Sequence, residues 1–307
     1  MKKTTTVKWR LIMGWSAVVL CLAISGLWSV WGILENFHEG WYSPELWVNI
    51  QLMLIQYLPV ALIFMLLPII TMRWHRIGLG LFLALAAFVP FFFSGASFQV
   101  VYIMLAFPLI GLGVLFFFGR PQPFRLAAGL LAGIPLLIMI VIAIPNLIRI
   151  SERINDGDFG QQQLDCQGQP ITWAARGEGF PERGSTWADA LHACQYLSAD
   201  GTQLMDTPQN IWRLPSIDEA VRCQTYRNEN AGGIWNSETK TAAYRHAPDK
   251  ETPLWDSYSE IIYYWTAEAV PDSSGRAYII DYKGGIFPKP TQYSPNYLSF
   301  RCVKDVE

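Results

Sequence analysis

Acidic side chains are scarce in the first 150 residues, and basic side chains are in deficit after them. Residues 1–150 hold nine Lys/Arg and three Asp/Glu, a net charge of +6, whereas residues 151–307 hold fourteen Lys/Arg and twenty-two Asp/Glu, a net charge of −8. Because a phosphate backbone needs a basic footprint, the acidic second half argues against nucleic acid as a partner. The cations of the first half lie beside apolar runs and therefore indicate membrane topology.

Charged side chains are missing from five long apolar runs, which are candidates for crossing a hydrocarbon core about 30 Å thick. We predict five transmembrane helices, at Leu11–Leu34, Ile50–Met72, Ile77–Phe93, Phe98–Phe118 and Leu126–Ile148. No Asp, Glu, Lys, Arg or His lies within these runs, which argues against an ion or proton pathway. Residues 1–150 are therefore predicted to be a multi-pass anchor whose partner is the lipid bilayer.

The loop charges give this anchor a direction. Three loops on one side of the predicted topology carry Lys2, Lys3, Lys8, Arg10, Arg73, Arg76, Arg120 and Arg125. By the positive-inside bias, the N-terminus is cytoplasmic and the C-terminal domain is exported, as in a protein of the bacterial inner membrane with a periplasmic or other extracytoplasmic domain. An alternative interpretation is that the first run is a signal peptide cleaved near Ala23–Ser25. Such cleavage would leave the topology of the downstream residues unchanged.

Closely spaced cysteine pairs are absent. The exported domain holds Cys166, Cys194, Cys223 and Cys302, and the shortest spacing, from Cys166 to Cys194, is far from a CxxC motif. This argues against a zinc site, and we expect no metal and no cofactor. An even number of cysteines in an exported domain predicts two disulfides, and three connectivities are open at this point.

Secondary-structure signals in the second half indicate an α+β domain. After a tether at 151–164, Thr186 caps a helix predicted to about 198, and Ser216 with Glu219 forms a capping box that opens a helix to about 224. The polar stretch 225–260 is predicted to be loops. Strands are predicted at Ile261–Ala267, Ala277–Tyr282 and Leu298–Val303.

Five motifs follow one another in this domain. They are W-A-D-A-L-H-A-C at Trp187–Cys194, W-R-L-P-S-I-D-E at Trp212–Glu219, Y-W-T at Tyr264–Thr266, R-A-Y-I-I-D at Arg276–Asp281 and F-R-C-V at Phe300–Val303. Their order over residues 165–304 resembles the bacterial DUF1566 family, also called the Lcl C-terminal domain family. The most specific element is the box formed by Trp212, Arg213, Leu214, Pro215 and Glu219. The membrane half has no counterpart in this resemblance.

The resemblance implies that residues 165–307 have a C-type lectin-like fold related to formylglycine-generating-enzyme domains. In such a fold a disulfide staples the first helix to the last strand, which implies Cys194–Cys302 and leaves Cys166–Cys223. The whole chain is then a five-helix membrane bundle followed by an exported α+β lectin-like domain. Trp187, Trp212 and Trp265 are expected in its core, and Arg213 is expected to pair with or cap near Glu219.

Binding residues are expected in the loops, because function in such folds lies in variable loops. The candidates outside the predicted core are Trp235, Tyr244, Trp255 and Tyr258. The E-P-N and Q-P-D signatures of calcium-dependent lectins are absent. The acids Asp249, Glu251, Asp256 and Glu260 are therefore read as a solvated acidic loop rather than as calcium ligands.

Three functions fit these residues. The first is a membrane-anchored extracytoplasmic module that docks a partner protein and has no catalytic residues of its own. The alternative is binding of carbohydrate or of a cell-envelope polymer, in which aromatic rings stack on sugar faces. The third is an oxidase similar to formylglycine-generating enzymes, which needs a reactive cysteine pair and copper. No nucleophile–base pair or carboxylate dyad can be placed from spacing, so catalysis is the least expected of the three.

Overall fold

The helical half of the chain and its C-terminal half form two compact units in the computed structural model, which describes residues 2–271 and 275–306. The helical unit comprises residues 2–40 and 45–147. The C-terminal unit comprises residues 148–306 together with the short segment Trp41–Pro44. That segment leaves the first helix and nevertheless belongs with the C-terminal half of the chain.

The helical unit consists of six α-helices with π-helical stretches between them. The α-helices are α1 Lys2–Glu35, α2 Leu46–Leu52, α3 Pro59–Arg73, α4 His75–Phe92, α5 Phe107–Phe118 and α6 Phe124–Ser151. The π-helical stretches are Asn36–Gly40, Met53–Tyr57 and Gln99–Ala106. Phe82 of α4 and Phe116 of α5 stack at 6.2 Å in its buried core.

Four helical stretches are long and apolar enough to cross a membrane, and a bent pair raises the number to five if it is one span. The four are Lys8–Gly40, His75–Phe92, Gln99–Phe118 and Phe124–Ser151. The bent pair, Leu46–Tyr57 with Pro59–Arg73, lies where one transmembrane helix is predicted at Ile50–Met72, and its two helices meet at an angle of 68°. Pro59 explains the break, because its ring keeps Leu58 out of the helical region, at φ −105° and ψ 1°.

The C-terminal unit has two helices and eleven short strands among its described residues. The helices are α7 Trp187–Tyr196 and α8 Ile217–Arg222. The strands are β1 Gln162–Asp165, β2 Pro170–Trp173, β3 Thr225–Tyr226, β4 Glu229–Asn230, β5 Ile234–Asn236, β6 Thr241–Ala243, β7 Tyr263–Ala269, β8 Arg276–Asp281, β9 Ile286–Pro290, β10 Leu298–Ser299 and β11 Val303–Asp305. Both predicted helices are confirmed, as is the Ser216–Glu219 capping box.

A four-stranded sheet, in the order β10-β7-β8-β9, organises this unit. Its strands are antiparallel except for the parallel pair β10–β7. Alternation along β7 sends Tyr264 to one face and Trp265 to the other. Tyr264 packs with Trp255 and Ile280 in one core cluster, and Trp265 packs with Cys194 and Ile279 in a second. Both faces of the sheet are therefore covered, and Trp265 and Trp212 are buried as expected, while Trp187 is only half-buried.

Two disulfides tie distant parts of the unit together. Cys194 of α7 bonds to Cys302, beside β11, and Cys166 bonds to Cys223 at the end of α8. The pairing implied by the resemblance is confirmed. Cys21, in α1, is buried and free.

Three sequence predictions need correction. Leu298–Val303 is not one strand, because the chain leaves β10 beside β7 and crosses to β11 beside β2. The stretch 225–260 is not only loop, since it holds the hairpins β3–β4 and β5–β6. The segment 151–164 is not a free tether, because β1 begins within it and the Ile154 carbonyl accepts a hydrogen bond from the Thr252 N–H at 3.1 Å.

Candidate functional site

The side chains of the motif at Trp212–Glu219 form hydrogen bonds within the motif and to other parts of the C-terminal unit. The Arg213 guanidinium donates two hydrogen bonds to the Glu219 carboxylate, at 2.7 and 2.8 Å, and another to Asp305 at 2.6 Å. Burial alone raises the pKa of Glu219, but the hydrogen bonds from Arg213 and from the Ser216 N–H outweigh it and hold the pKa below its ordinary value. The buried Trp212 indole donates to the Ser198 carbonyl at 2.8 Å. The side chains of Trp212, Arg213 and Glu219 thus bond to other parts of the fold.

The four predicted ligand-binding aromatics do not form one surface. Trp255 is a correction: it is 1% exposed and stacks on Tyr264 at 4.0 Å, so it belongs to the core. Trp235 and Tyr244 are half-buried against the same core cluster, and the Tyr244 hydroxyl donates to the Gly284 carbonyl at 3.0 Å. Tyr258 alone is well exposed, at 53%. Three of the four predicted binding residues therefore pack with the core, and only Tyr258 is available at the surface.

The acidic residues of this stretch are mostly buried, which corrects the prediction of a solvated acidic loop. Asp249 accepts hydrogen bonds from Arg153 at 2.8 and 3.0 Å, and Asp256 forms an ion pair with Arg176. Glu251 accepts from the Ile154 N–H at 3.2 Å. Only Glu260 is exposed, and it accepts a hydrogen bond from Tyr42 at 3.3 Å. Asp249 and Asp256 are thus neutralised by arginines, as buried charges generally require, whereas Glu251 bonds to the backbone and forms no ion pair with the described residues.

Lys250 lies at the centre of this buried network. Its ammonium donates to the Ser259 carbonyl, and burial, reinforced by the nearby charge of Arg153, lowers the pKa of Lys250 to about 7. The acids Asp256, Asp249 and Glu260 oppose the shift and are outweighed. A lysine whose pKa is about 7 when folded and 10.5 when unfolded makes folding depend on pH between those values.

We expect the C-terminal unit to become more stable as the pH rises from about 7 to about 9. In that range the unfolded chain binds a proton at Lys250 and the folded chain does not, so raising the pH favours folding, by about 1 kcal/mol per pH unit. Lys250→Met removes the titrating group and should flatten this slope. Urea unfolding of the full chain at a series of pH values, followed by pulse proteolysis, measures it. An unchanged slope in Lys250→Met would contradict the assignment.

An aromatic surface that the sequence did not reveal lies on the Trp265 side of the four-stranded sheet, beside the core cluster that covers the rest of that face. The β-sheet registers put Phe287 and Lys289 of β9 on the same face as Tyr263 of β7. We name Tyr263, Phe287, Lys289, Tyr293 and Tyr297 the tyrosine surface. Phe287 is 44% exposed and Tyr293 is 38% exposed. The period-2 pattern alone could have grouped Tyr263 with Trp265, but no local signal brings in the loop residues Tyr293 and Tyr297.

The three tyrosine rings of this surface contact one another. Tyr297 meets Tyr263 at 5.9 Å and Tyr293 at 6.4 Å, both edge to face, and the Tyr293 and Tyr297 hydroxyl oxygens are 2.5 Å apart. The Lys289 ammonium lies 5.9 Å from the ring centres of Tyr263 and of Tyr293. Lys289 forms no ion pair with the residues that the structure describes. The surface therefore offers apolar rings, hydroxyls and an unneutralised cation.

Strand β9 is the edge of this sheet, and it is poorly suited to pairing with another strand. Pro288 and Pro290 have no N–H, and proline is accommodated in a strand only where its nitrogen faces away from the neighbouring strand. The open side of β9 thus lacks donors at two alternate positions. Prolines at a sheet edge oppose strand addition, so recognition here would use side chains.

His192 is exposed and stacks on Tyr196 at 4.2 Å, beside a small cleft of about 280 Å³ that also contains Asp189. No group of three or more His, Cys, Asp or Glu side chains within 2–271 and 275–306 is arranged to hold a metal ion. The four cysteines of the unit are joined in disulfides that connect elements of the fold.

Comparison with protein-family models, with curated protein sequences and with solved structures finds no match to this chain.

Proposed function

We propose that this chain is a membrane-anchored binding module whose C-terminal unit docks a partner protein on the extracytoplasmic side of a bacterial inner membrane. The apolar helices are the anchor, and the tyrosine surface is the docking site. The observation that carries the proposal is the contact of Lys289 with Tyr263 and Tyr293 beside the exposed Phe287, at a part of the sheet surface that the core cluster does not fully cover.

The proposed topology rests on the loop charges and on one contact. The cations Arg10, Arg73 and Arg120 lie in loops or helix ends that the positive-inside bias assigns to the cytoplasm. Tyr42, between α1 and α2, contacts Glu260 of the C-terminal unit. The segment Trp41–Pro44 that holds Tyr42 belongs to the C-terminal unit. In the proposed topology this segment follows the first span, on the side opposite the basic loops.

We also propose that the C-terminal unit is related to the DUF1566 family and has its C-type lectin-like fold. Two features support this relation. The box at Trp212–Glu219 opens a capped helix, α8, through the Ser216 capping box. The disulfide Cys194–Cys302 joins the first helix of the unit to the segment beside its last strand, as a lectin-like staple would.

Protein docking fits the ring geometry better than sugar stacking does. A sugar needs a flat ring face that is free, whereas here the rings meet edge to face and the Lys289 ammonium lies near two of them. Tyrosine and phenylalanine supply large contact areas at protein interfaces. The partner we propose presents apolar side chains to the rings and a carboxylate to Lys289, because an interface charge needs a counter-charge when water leaves.

Site-specific photo-crosslinking in native membranes tests this function. A benzophenone amino acid placed at Phe287 or Tyr293 should yield one discrete protein adduct, whereas the same group at the exposed Tyr258 should yield none. Lys289→Glu should abolish the adduct, and the matched charge reversal Lys240→Glu, in the exposed β5–β6 turn, should not. Equal adducts from Tyr258 would contradict the site. A saturable glycan-induced shift in tryptophan fluorescence that Tyr293→Ala removes would favour the carbohydrate alternative.

A further inference from the structure

Four arginines and His75 surround two adjoining clefts in the helical unit. One cleft, of about 630 Å³, is lined by Arg10, His75, Arg76 and Arg120. The other, of about 440 Å³, is lined by Arg73 and again by His75 and Arg120. These side chains come from α1, from the α3–α4 junction and from the loop after α5. The fold thus collects in one place charges that are far apart in the sequence.

The unit supplies no acid to this cluster. None of its four arginines forms an ion pair with a residue that the structure describes. The nearest acid along α1 is Glu35, which a helical rise of 1.5 Å per residue places about 37 Å from Arg10. Like charges gathered without counter-charge repel one another, so the arrangement is most stable when an anion is bound.

Arg120 has an unmet hydrogen-bonding group in this cluster. Its Nη1 atom is buried and has no hydrogen-bond partner, which is costly for a charged donor. A guanidinium nitrogen of this kind is suited to a phosphate oxygen, which accepts charge-assisted hydrogen bonds from arginine. The missing partner of this nitrogen is a separate observation from the lack of acidic side chains in the cluster, and it also favours an anionic ligand such as a phosphate.

The backbone around the clefts is closely packed. The Arg120 N–H donates to the Arg10 carbonyl at 2.7 Å, and the Trp15 indole donates to the Gln122 carbonyl at 3.2 Å. A Cβ atom at Gly14 would lie 2.4 Å from the Pro121 nitrogen, so only glycine permits this approach of the loop to α1. These contacts hold Arg10 and Arg120 side by side before any ligand arrives, which reduces the entropy lost on binding.

Apolar side chains adjoin the cations. Trp74, Ile77 and Phe118 line the larger cleft and are exposed. We propose that these clefts bind the phosphate headgroup of an anionic phospholipid, with its acyl chains against the apolar side chains. A phosphate ion would satisfy the arginines but would leave the apolar wall uncovered. Basic pockets between membrane helices are known to suit such headgroups.

Native mass spectrometry of the full chain in detergent tests the proposal, with phosphatidylglycerol, phosphatidylcholine and inorganic phosphate as separate titrants. We expect saturable binding of phosphatidylglycerol and a loss of affinity of about tenfold or more in Arg120→Gln. Arg76→Gln should show a similar loss. Arg76 takes no part in the contacts between the loop at Arg120 and α1, so a loss in this variant would not be explained by disruption of those contacts. The matched control is Arg125→Gln, an exposed arginine near the same loop that lines neither cleft.

The control should change affinity by less than about twofold. Equal losses in Arg125→Gln and Arg120→Gln would show attraction by general surface charge and would overturn the site. Equal binding of phosphatidylcholine would overturn the requirement for a net anionic lipid. Occupation of the clefts by inorganic phosphate at the concentrations that suffice for phosphatidylglycerol would overturn the lipid as the source of the phosphate.

Discussion

Arg301→Met should destabilise the C-terminal unit by about 4 kcal/mol. The Arg301 side chain is fully buried and has no carboxylate partner among the described residues. It is stabilised by backbone carbonyls instead: those of Ala174, Pro253, Leu254 and Gly160, at 2.8, 2.6, 3.1 and 3.4 Å. Methionine fills a similar volume but leaves these buried acceptors without their donor, and that desolvation cost is the expected loss.

Arg301 joins three separate segments of the chain through these bonds. Ala174 follows β2, Gly160 precedes β1, and Pro253 and Leu254 lie in the buried stretch before β7. The guanidinium also lies over the Phe180 ring, 4.3 Å from its centre. Arg301→Lys should recover only part of the stability, because one ammonium cannot reach acceptors that a planar fork of nitrogens spans.

Pulse proteolysis of the full chain over a urea series measures this effect, with fragments from residues 148–306 as the readout. The matched control is Arg183→Met, whose side chain is 72% exposed and pairs with Glu178 at the surface. Because exposed ion pairs are weak, its loss should stay below about 1 kcal/mol. A loss in Arg301→Met no larger than in Arg183→Met would contradict the structural role of the buried guanidinium.

The sequence predicted those elements whose signals are local. The apolar runs, the Ser216–Glu219 capping box and the helix at Trp187 each depend on residues a few positions apart, and each was found. The break before Pro59 also has a local cause, but a continuous apolar run concealed it. Local chemistry therefore explains the helices and the two central strands of the sheet, β7 and β8.

The buried polar network was missed because its partners are far apart in sequence. Arg153 and Asp249 are separated by 96 residues, and Arg301 and Ala174 by 127. Composition suggests that a stretch rich in Asp, Glu, Lys and Thr is exposed, since such residues are buried only when paired. Nothing in the stretch itself tells where its partners lie. Three of the four acids and Trp255 were misjudged for this reason.

The tyrosine surface was missed for a related reason. Tyr263 belongs to a strand that was predicted, but Tyr293 and Tyr297 lie in the connection between β9 and β10, and strand β9 was not predicted. Grouping them requires the pairing of β9 with β8 and of β10 with β7. The register between strands depends on the tertiary fold. The sequence pattern of one strand therefore cannot reveal a surface that is formed by β7, β9 and the connection after β9.

Removing the disulfide Cys194–Cys302 should cost the C-terminal unit about 4 to 5 kcal/mol. The bond closes a loop across a sequence separation of 108 residues, and a cross-link of that length removes much entropy from the unfolded chain. Both of its cysteines are buried in the core cluster that covers one face of the sheet. The double variant Cys194→Ala/Cys302→Ala, which leaves no unpaired thiol from this bridge, is the suitable test, again by pulse proteolysis of the full chain.

Two comparisons distinguish the stability that comes from the cross-link from the stability that comes from the packing of the sulfur atoms. Cys21→Ala makes the same substitution at the free cysteine of α1 and should leave the C-terminal unit unchanged. Cys166→Ala/Cys223→Ala opens a separation of 57 residues, so the loop-entropy relation makes its cost smaller by only about 0.6 kcal/mol. Reduction of the native chain opens both disulfides and should destabilise the unit by at least as much as either double variant does. If the double variants lost stability and the reduced native chain did not, the loss would come from packing, and the cross-link would not be its cause.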